Sequence, residues 1–91
     1  MAPTVGRIVH YRLSFQDVQR IRQRRRLHES EEVFTGNPVE EGEVAPMLVV
    51  AVWGPTCVNG HVLLDGYDSL WVTSVVEGTD PGAWSWPPRE G

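Results

Sequence analysis

Residues 47–76, MLVVAVWGPTCVNGHVLLDGYDSLWVTSVV, decide the fold. Two apolar runs rich in β-branched and aromatic residues, Met47 to Trp53 and Ser69 to Val76, bracket a middle rich in turn formers. The first run is uninterrupted, which predicts a strand buried on both faces or at the centre of a sheet. Gly54-Pro55 stops it, and Asn59-Gly60 is the dipeptide favoured in a type I′ hairpin turn leading into His61–Leu64. Asp65-Gly66-Tyr67-Asp68 predicts a second turn. In the strand that follows, Leu70, Val72, Ser74 and Val76 fall on one face and Trp71, Thr73 and Val75 on the other. Glu77–Gly82, EGTDPG, predicts another turn, and a short strand AWSW ends at Pro87-Pro88.

On the N-terminal side, TVGRIVHYRL (residues 4–13) alternates with period two and predicts a strand. Val5, Val9, Tyr11 and Leu13 share one face with the stem of Arg7. Ser14 offers a helix N-cap, and Asp17 three residues on provides a carboxylate in the positive first turn. Phe15, Val18 and Ile21 form a narrow apolar stripe on a helix of about residues 15–28. An acidic loop over about 29–45 follows, with Gly36-Asn37-Pro38 and Glu41-Gly42 as breakers, and then a β-meander over about 46–86. The 91 residues make one α+β domain. The expected architecture is a small five-stranded antiparallel SH3-like or OB-like barrel, or a strongly twisted sheet, with one helix inserted after the first strand. A chain of this length buries only about 60–65% of its unfolded surface, enough for one small core.

The charge is unevenly distributed. Net charge is −4; five of the eight basic residues lie at 20–26, and six of the twelve acidic ones at 29–43. All the basic residues are arginine, the mark of a GC-rich genome. On a helical projection Arg20 and Arg24 point away from the apolar stripe, Arg22 and Arg25 lie beside it, and Arg26 is on its flank. Such a ring of charges predicts a solvated helix paired with the glutamates downstream better than a phosphate-tracking face. Arg20, Arg24, Arg25 and Arg26 are nonetheless candidate partner-binding residues. So are Trp84 and Trp86, which share a face beside Pro87-Pro88, because tryptophan and arginine are enriched at interface centres. The favoured reading of the tryptophans places them in the core of a small barrel, with one ring partly exposed.

Chemistry is sparsely signalled. Cys57 and His61, with Asp65 and Asp68 nearby, lack the four Cys and His ligands that structural zinc uses, so no metal is expected. No orienting third group accompanies Cys57 and His61 as a nucleophilic pair, and no glycine-rich phosphate loop opens a helix. Neither an enzyme nor a cofactor is expected. One cysteine excludes an internal disulfide and suits a reducing cytosol. The start of the chain has no signal-peptide h-region, and the longest apolar run is seven residues, short of a membrane span. An intracellular protein without membrane insertion is expected.

The motifs GRIVHY (6–11), VNGHVLLDGYDSLWVTSV (58–75) and PGAWSWPP (81–88) carry a resemblance to a family of short proteins of unassigned function common in actinobacteriophage genomes, mycobacteriophages included. It covers about residues 4–15 and 47–89, the acidic linker departing most freely. The resemblance implies phage origin and expression inside a bacterial host, and brings no catalytic residue. The expected function is a non-enzymatic accessory protein that binds another protein, of the bacterial host, in the host cytoplasm. The alternatives are a structural virion component (capsid decoration or head–tail joining) and a nucleic-acid binder using the arginine-rich helix. Edge strands of a partly open barrel can also pair between chains to give a homodimer.

Overall fold

The computed structural model describes residues 1–28 and 35–89. The chain runs β1 (Ile8–Arg12), α1 (Phe15–His28), β2 (Val44–Val52), β3 (Cys57–Leu63), β4 (Ser69–Val76) and β5 (Trp84–Ser85). These strands form one antiparallel sheet in the order β4-β3-β2-β1-β5. The sheet curls into a half-barrel, and the end of β4 returns to β5 through an isolated bridge between Glu77 and Trp84. β2–β3–β4 is the expected meander, but β5 leaves it and pairs with β1, with Tyr11 opposite Trp84. Trp84 is hidden completely in the core, whose members include Val9, Leu13, Met47 and Val58.

The helix starts where its caps dictate. Ser14 Oγ accepts the Asp17 N–H (3.1 Å), and Asp17 Oδ2 accepts the Ser14 N–H (2.9 Å), a reciprocal capping box with Asp in place of Glu. The Tyr11 hydroxyl donates to the same carboxylate oxygen, tying the helix start to β1. Burial first, and that bond second, raise the Tyr11 hydroxyl pKa above the ordinary phenol value. The inward stripe differs from the expected one. Phe15 is exposed, and the helix meets the sheet through Val18, Ile21 and Arg25, the i, i+3, i+7 positions of one face.

Three strand details correct the sequence reading. β2 lies at the sheet centre but is buried on one face only: Ala45, Met47 and Val49 point inward, while Pro46 and Val50 are exposed and Leu48 is half-buried. Asn59-Gly60 is not the hairpin turn. It lies inside β3, and the β2–β3 connection is residues 53–56, closed by the Trp53 N–H to Cys57 O bond (2.9 Å). Gly60 is there for room: a Cβ would sit 2.5 and 2.7 Å from the Met47 side chain and 2.9 Å from Leu48 O. Asn59 Oδ1 accepts the N–H of Ser74 (2.8 Å), which has φ of 53°. That contact holds a bulge, two β4 residues standing against Asn59 between the Val58–Val75 and Gly60–Val72 pairs. The bulge inverts the alternation of β4, so Val75 is buried and Val76 exposed, the reverse of the expected faces.

Of the acidic loop, Glu29, Glu31 and Glu32 lie outside the described residues. From Thr35 the chain is held against the fold. Gly36 bridges Gly66, Val39 is buried, and Gly42 N–H donates to Leu13 O (2.8 Å). A Cβ on Gly36 would meet Asp65 O at 2.7 Å and the Gly66 Cα at 2.8 Å, so two glycines are needed for this crossing.

We expect Gly60→Ala to lower stability by about 1–3 kcal/mol through overpacking against Met47. Denaturant unfolding measures it; a change within about 0.5 kcal/mol, as at an ordinary surface position, would contradict the crowding at Gly60.

Candidate functional site

The arginine cluster does not act as one surface. Arg25 is 6% exposed and forks onto Asp68, with Nε 2.9 Å from Oδ2 and an Nη 3.0 Å from Oδ1. Its other Nη donates to the Asn37 carbonyl at 2.6 Å. Arg24 donates to Ser69 O (2.7 Å) and lies 3.7 Å from Asp68 Oδ2. Arg22 donates to Val39 O (3.1 Å). Three of the five clustered arginines therefore bind the fold's own backbone or the Asp68 carboxylate. Arg20 and Arg26 are exposed. Of the four candidate arginines, Arg25 is withdrawn from any surface role by burial, and Arg24 is half-withdrawn.

Asp68 ends the β3–β4 turn, and Asn37 Nδ2 donates to Asp65 of the same turn (2.8 Å). The hydrogen bonds from Arg25 are the largest influence on Asp68. They hold its carboxyl below the ordinary carboxylate value against the opposing effect of burial. An open cleft of about 330 Å³ lies beside this pair, lined by Arg24, Arg25, Thr35, Tyr67, Asp68 and Ser69. Its two cations are engaged by Asp68 and by the backbone carbonyls of Ser69 and Asn37.

For Trp84 and Trp86 the core reading holds, and Trp53 and Trp71 depart from it. Trp84 is fully buried, and its indole N–H donates to Thr56 O (2.8 Å). Trp86 is half-buried, packs edge-on against Trp84 (centroids 5.5 Å apart, planes at 88°) and donates to Met1 O (3.1 Å). The Arg7 guanidinium sits 5.1 Å from the centre of the Trp86 ring. Trp84 is a core residue and cannot be a docking platform; Trp86 closes the core behind it. Among the described residues the displayed aromatics are Tyr67 (92% exposed), Trp53 (69%), Phe15 (59%) and Trp71 (55%).

Trp71 belongs to an outward row that sequence reasoning missed. The strand registers place Ile8 opposite Leu48, Leu48 opposite His61, and His61 opposite Trp71, across four strands. Ile8, His61 and Trp71 are exposed and Leu48 is half-buried; exposed Val44, Pro46, Val50 and Leu63 flank the row. The signal was available in the uninterrupted apolar run of β2, whose second face has to meet either a partner or water.

Cys57 and His61 stand on one strand rather than across a turn, and among the described residues no three His, Cys, Asp or Glu side chains gather as a metal site would require. No helix among the described residues is long and apolar enough to cross a membrane. Compared with known protein families, curated proteins and solved structures, the chain matches none.

The lowered Asp68 carboxyl sets a pH dependence. Its folded pKa lies below its unfolded one, so its contribution to stability is complete above the ordinary carboxylate value (about 4) and is lost as pH falls through the folded value. We expect unfolding free energy to fall with pH below about 4, and the Asp68→Asn variant to lose part of that slope. Equal slopes in the two proteins, from denaturant midpoints over an acid pH series, would contradict this role of Asp68.

Proposed function

We propose that the chain is a non-enzymatic accessory protein that works by binding another protein, and that its binding surface is the outer face of the half-barrel. The supporting observation is the cross-strand row of Ile8, Leu48, His61 and Trp71, with Val50 and Leu63 beside it. A strip across four strands that is apolar except for His61 is costly to leave in water and is the usual mark of an interaction site. Its apolar side chains stand on short, hydrogen-bonded strands, so little ordering cost accompanies docking. The arginine helix supports the reading by subtraction. With Arg22, Arg24 and Arg25 bound internally, Arg20 and Arg26 make a sparse cationic surface, less than a phosphate-tracking helix would offer.

The resemblance to small actinobacteriophage proteins extends this proposal to a setting: a phage protein acting in the host cytoplasm on a host protein. The test is affinity purification of the tagged chain from infected host cells, beside an Ile8→Glu/Leu48→Glu variant that keeps native circular dichroism. We expect one host protein to co-purify in fixed ratio with the wild type and to be lost with the variant. Recovery of the chain in fixed copy number from purified virions would instead make it a structural component. DNA binding that weakens steeply with salt and with Arg20→Ala/Arg26→Ala would make it a nucleic-acid binder.

A further inference from the structure

The two edges of the sheet are treated unequally. β5 is two residues long and runs into Pro87-Pro88, a protected edge. β4 is eight residues long, and from Ser69 to Val76 it carries neither a charge nor a proline. Its ladder with β3 decides which of its backbone groups are spent. Leu64 N–H donates to Asp68 O (3.4 Å), and the register continues through Val62–Leu70 and Gly60–Val72. Because antiparallel pairs alternate, Leu70 and Val72 turn their N–H and C=O groups toward β3, and Ser69, Trp71 and Thr73 turn theirs outward. Arg24 confirms the phase by taking the outward Ser69 carbonyl at 2.7 Å. Beyond Thr73 the bulge directs the Ser74 N–H inward to Asn59. Among the described residues nothing hydrogen-bonds the outward groups of Trp71 and Thr73, and both residues are exposed.

We propose that this edge pairs with the β4 edge of a second copy, antiparallel about a two-fold axis at Val72, joining two half-barrels through one continuous sheet. The free groups are symmetric about Val72, which suits a partner of identical sequence. With Val72 opposite Val72 of the second copy, Trp71 stands opposite Thr73 in both directions. Each such pair exchanges two N–H to O=C bonds, so all four free groups of each chain are satisfied. The register with Trp71 opposite itself would need the Ser69 carbonyl that Arg24 already holds. In the proposed register the two Trp71 rings become diagonal neighbours on the outer face, within reach of each other across the strand pair. The antiparallel sense also brings Arg24, at the start of one β4, toward Glu77 at the end of the other, an opposite-charge match that a parallel pairing lacks. Each copy spends its only long open edge, and the short β5 edge is already bridged to Glu77 within its own chain, so assembly closes at two chains rather than continuing as a fibre.

The surface lies beside the outer-face row, and the test separates the two by using Trp71 and Thr73 rather than Ile8 and Leu48. Sedimentation equilibrium of the full chain over micromolar to millimolar concentration is expected to show a monomer–dimer equilibrium. Trp71→Lys and Thr73→Lys each place a cation on the edge and are expected to weaken dimerisation at least about tenfold through like-charge apposition. Trp53→Lys, in the β2–β3 connection, is the control and leaves dimerisation unchanged. Amide exchange of the unaltered chain supplies a reading independent of folding defects in variants: the Trp71 and Thr73 amides should exchange fast in dilute solution and become protected as concentration rises. A monomer at millimolar concentration with those amides unprotected overturns the proposal. So does a dimer that survives both edge lysines.

Discussion

Arg25 and Asp68 stand 43 residues apart in the chain, and the fork between them joins the parts that no β-ladder joins. Arg25 comes from the inward face of α1, Asp68 from the end of the β3–β4 turn, and the remaining guanidinium nitrogen holds Asn37 of the returning loop. The strands are fastened to each other by backbone hydrogen bonds. The helix is tied to the strands by its cap at Ser14 and Asp17, by two buried aliphatic side chains, Val18 and Ile21, by the Arg24 bond to Ser69 O and by this ion pair. A guanidinium buried to this degree is tolerated because planar donors meet a carboxylate and a carbonyl in fixed geometry, and losing the carboxylate would leave part of its desolvation uncompensated.

Much of the architecture was legible in the residues themselves. The Ser14–Asp17 box marks the helix start, and the run from Ser69 to Val76 coincides with β4, because a local hydrogen bond and a β-branched alternation are decided within a few residues. What could not be read from local preference was decided by contacts between distant residues. Asn59-Gly60 has turn chemistry, yet Gly60 serves the approach of Met47 on the neighbouring strand and Asn59 serves the bulge at Ser74. Likewise β5 adjoins β4 in sequence, but the need to bury the Trp84 ring places it beside β1.

The same distinction governs the surface. Val18 and Ile21 already implied that the next inward position of the helix is 25, so the buried arginine was there to be found once the stripe was extended by 3.6-residue periodicity. Which tryptophans are displayed was not: Trp84 and Trp86 share a strand face with the core, whereas Trp53 sits in a connection and Trp71 on the convex face of an edge strand. An apolar outer row and an uncharged edge follow from the sheet registers, which exist only once the strands are paired. The displayed apolar surface thus lies on the sheet, while Arg22, Arg24 and Arg25 of the helix brace the β3–β4 turn and the returning loop.

A double-mutant cycle at the brace tests this account most directly, with Arg25→Met, Asp68→Leu and the combination followed by denaturant unfolding. Each single substitution should cost about 2–4 kcal/mol, Asp68→Leu by taking the carboxylate from a buried guanidinium and Arg25→Met by removing the fork from an Asp68 that keeps Arg24 at 3.7 Å, and the double variant should be less destabilised than the sum of the two. Single costs below about 1 kcal/mol with no coupling, the behaviour of an exposed surface pair, would contradict it.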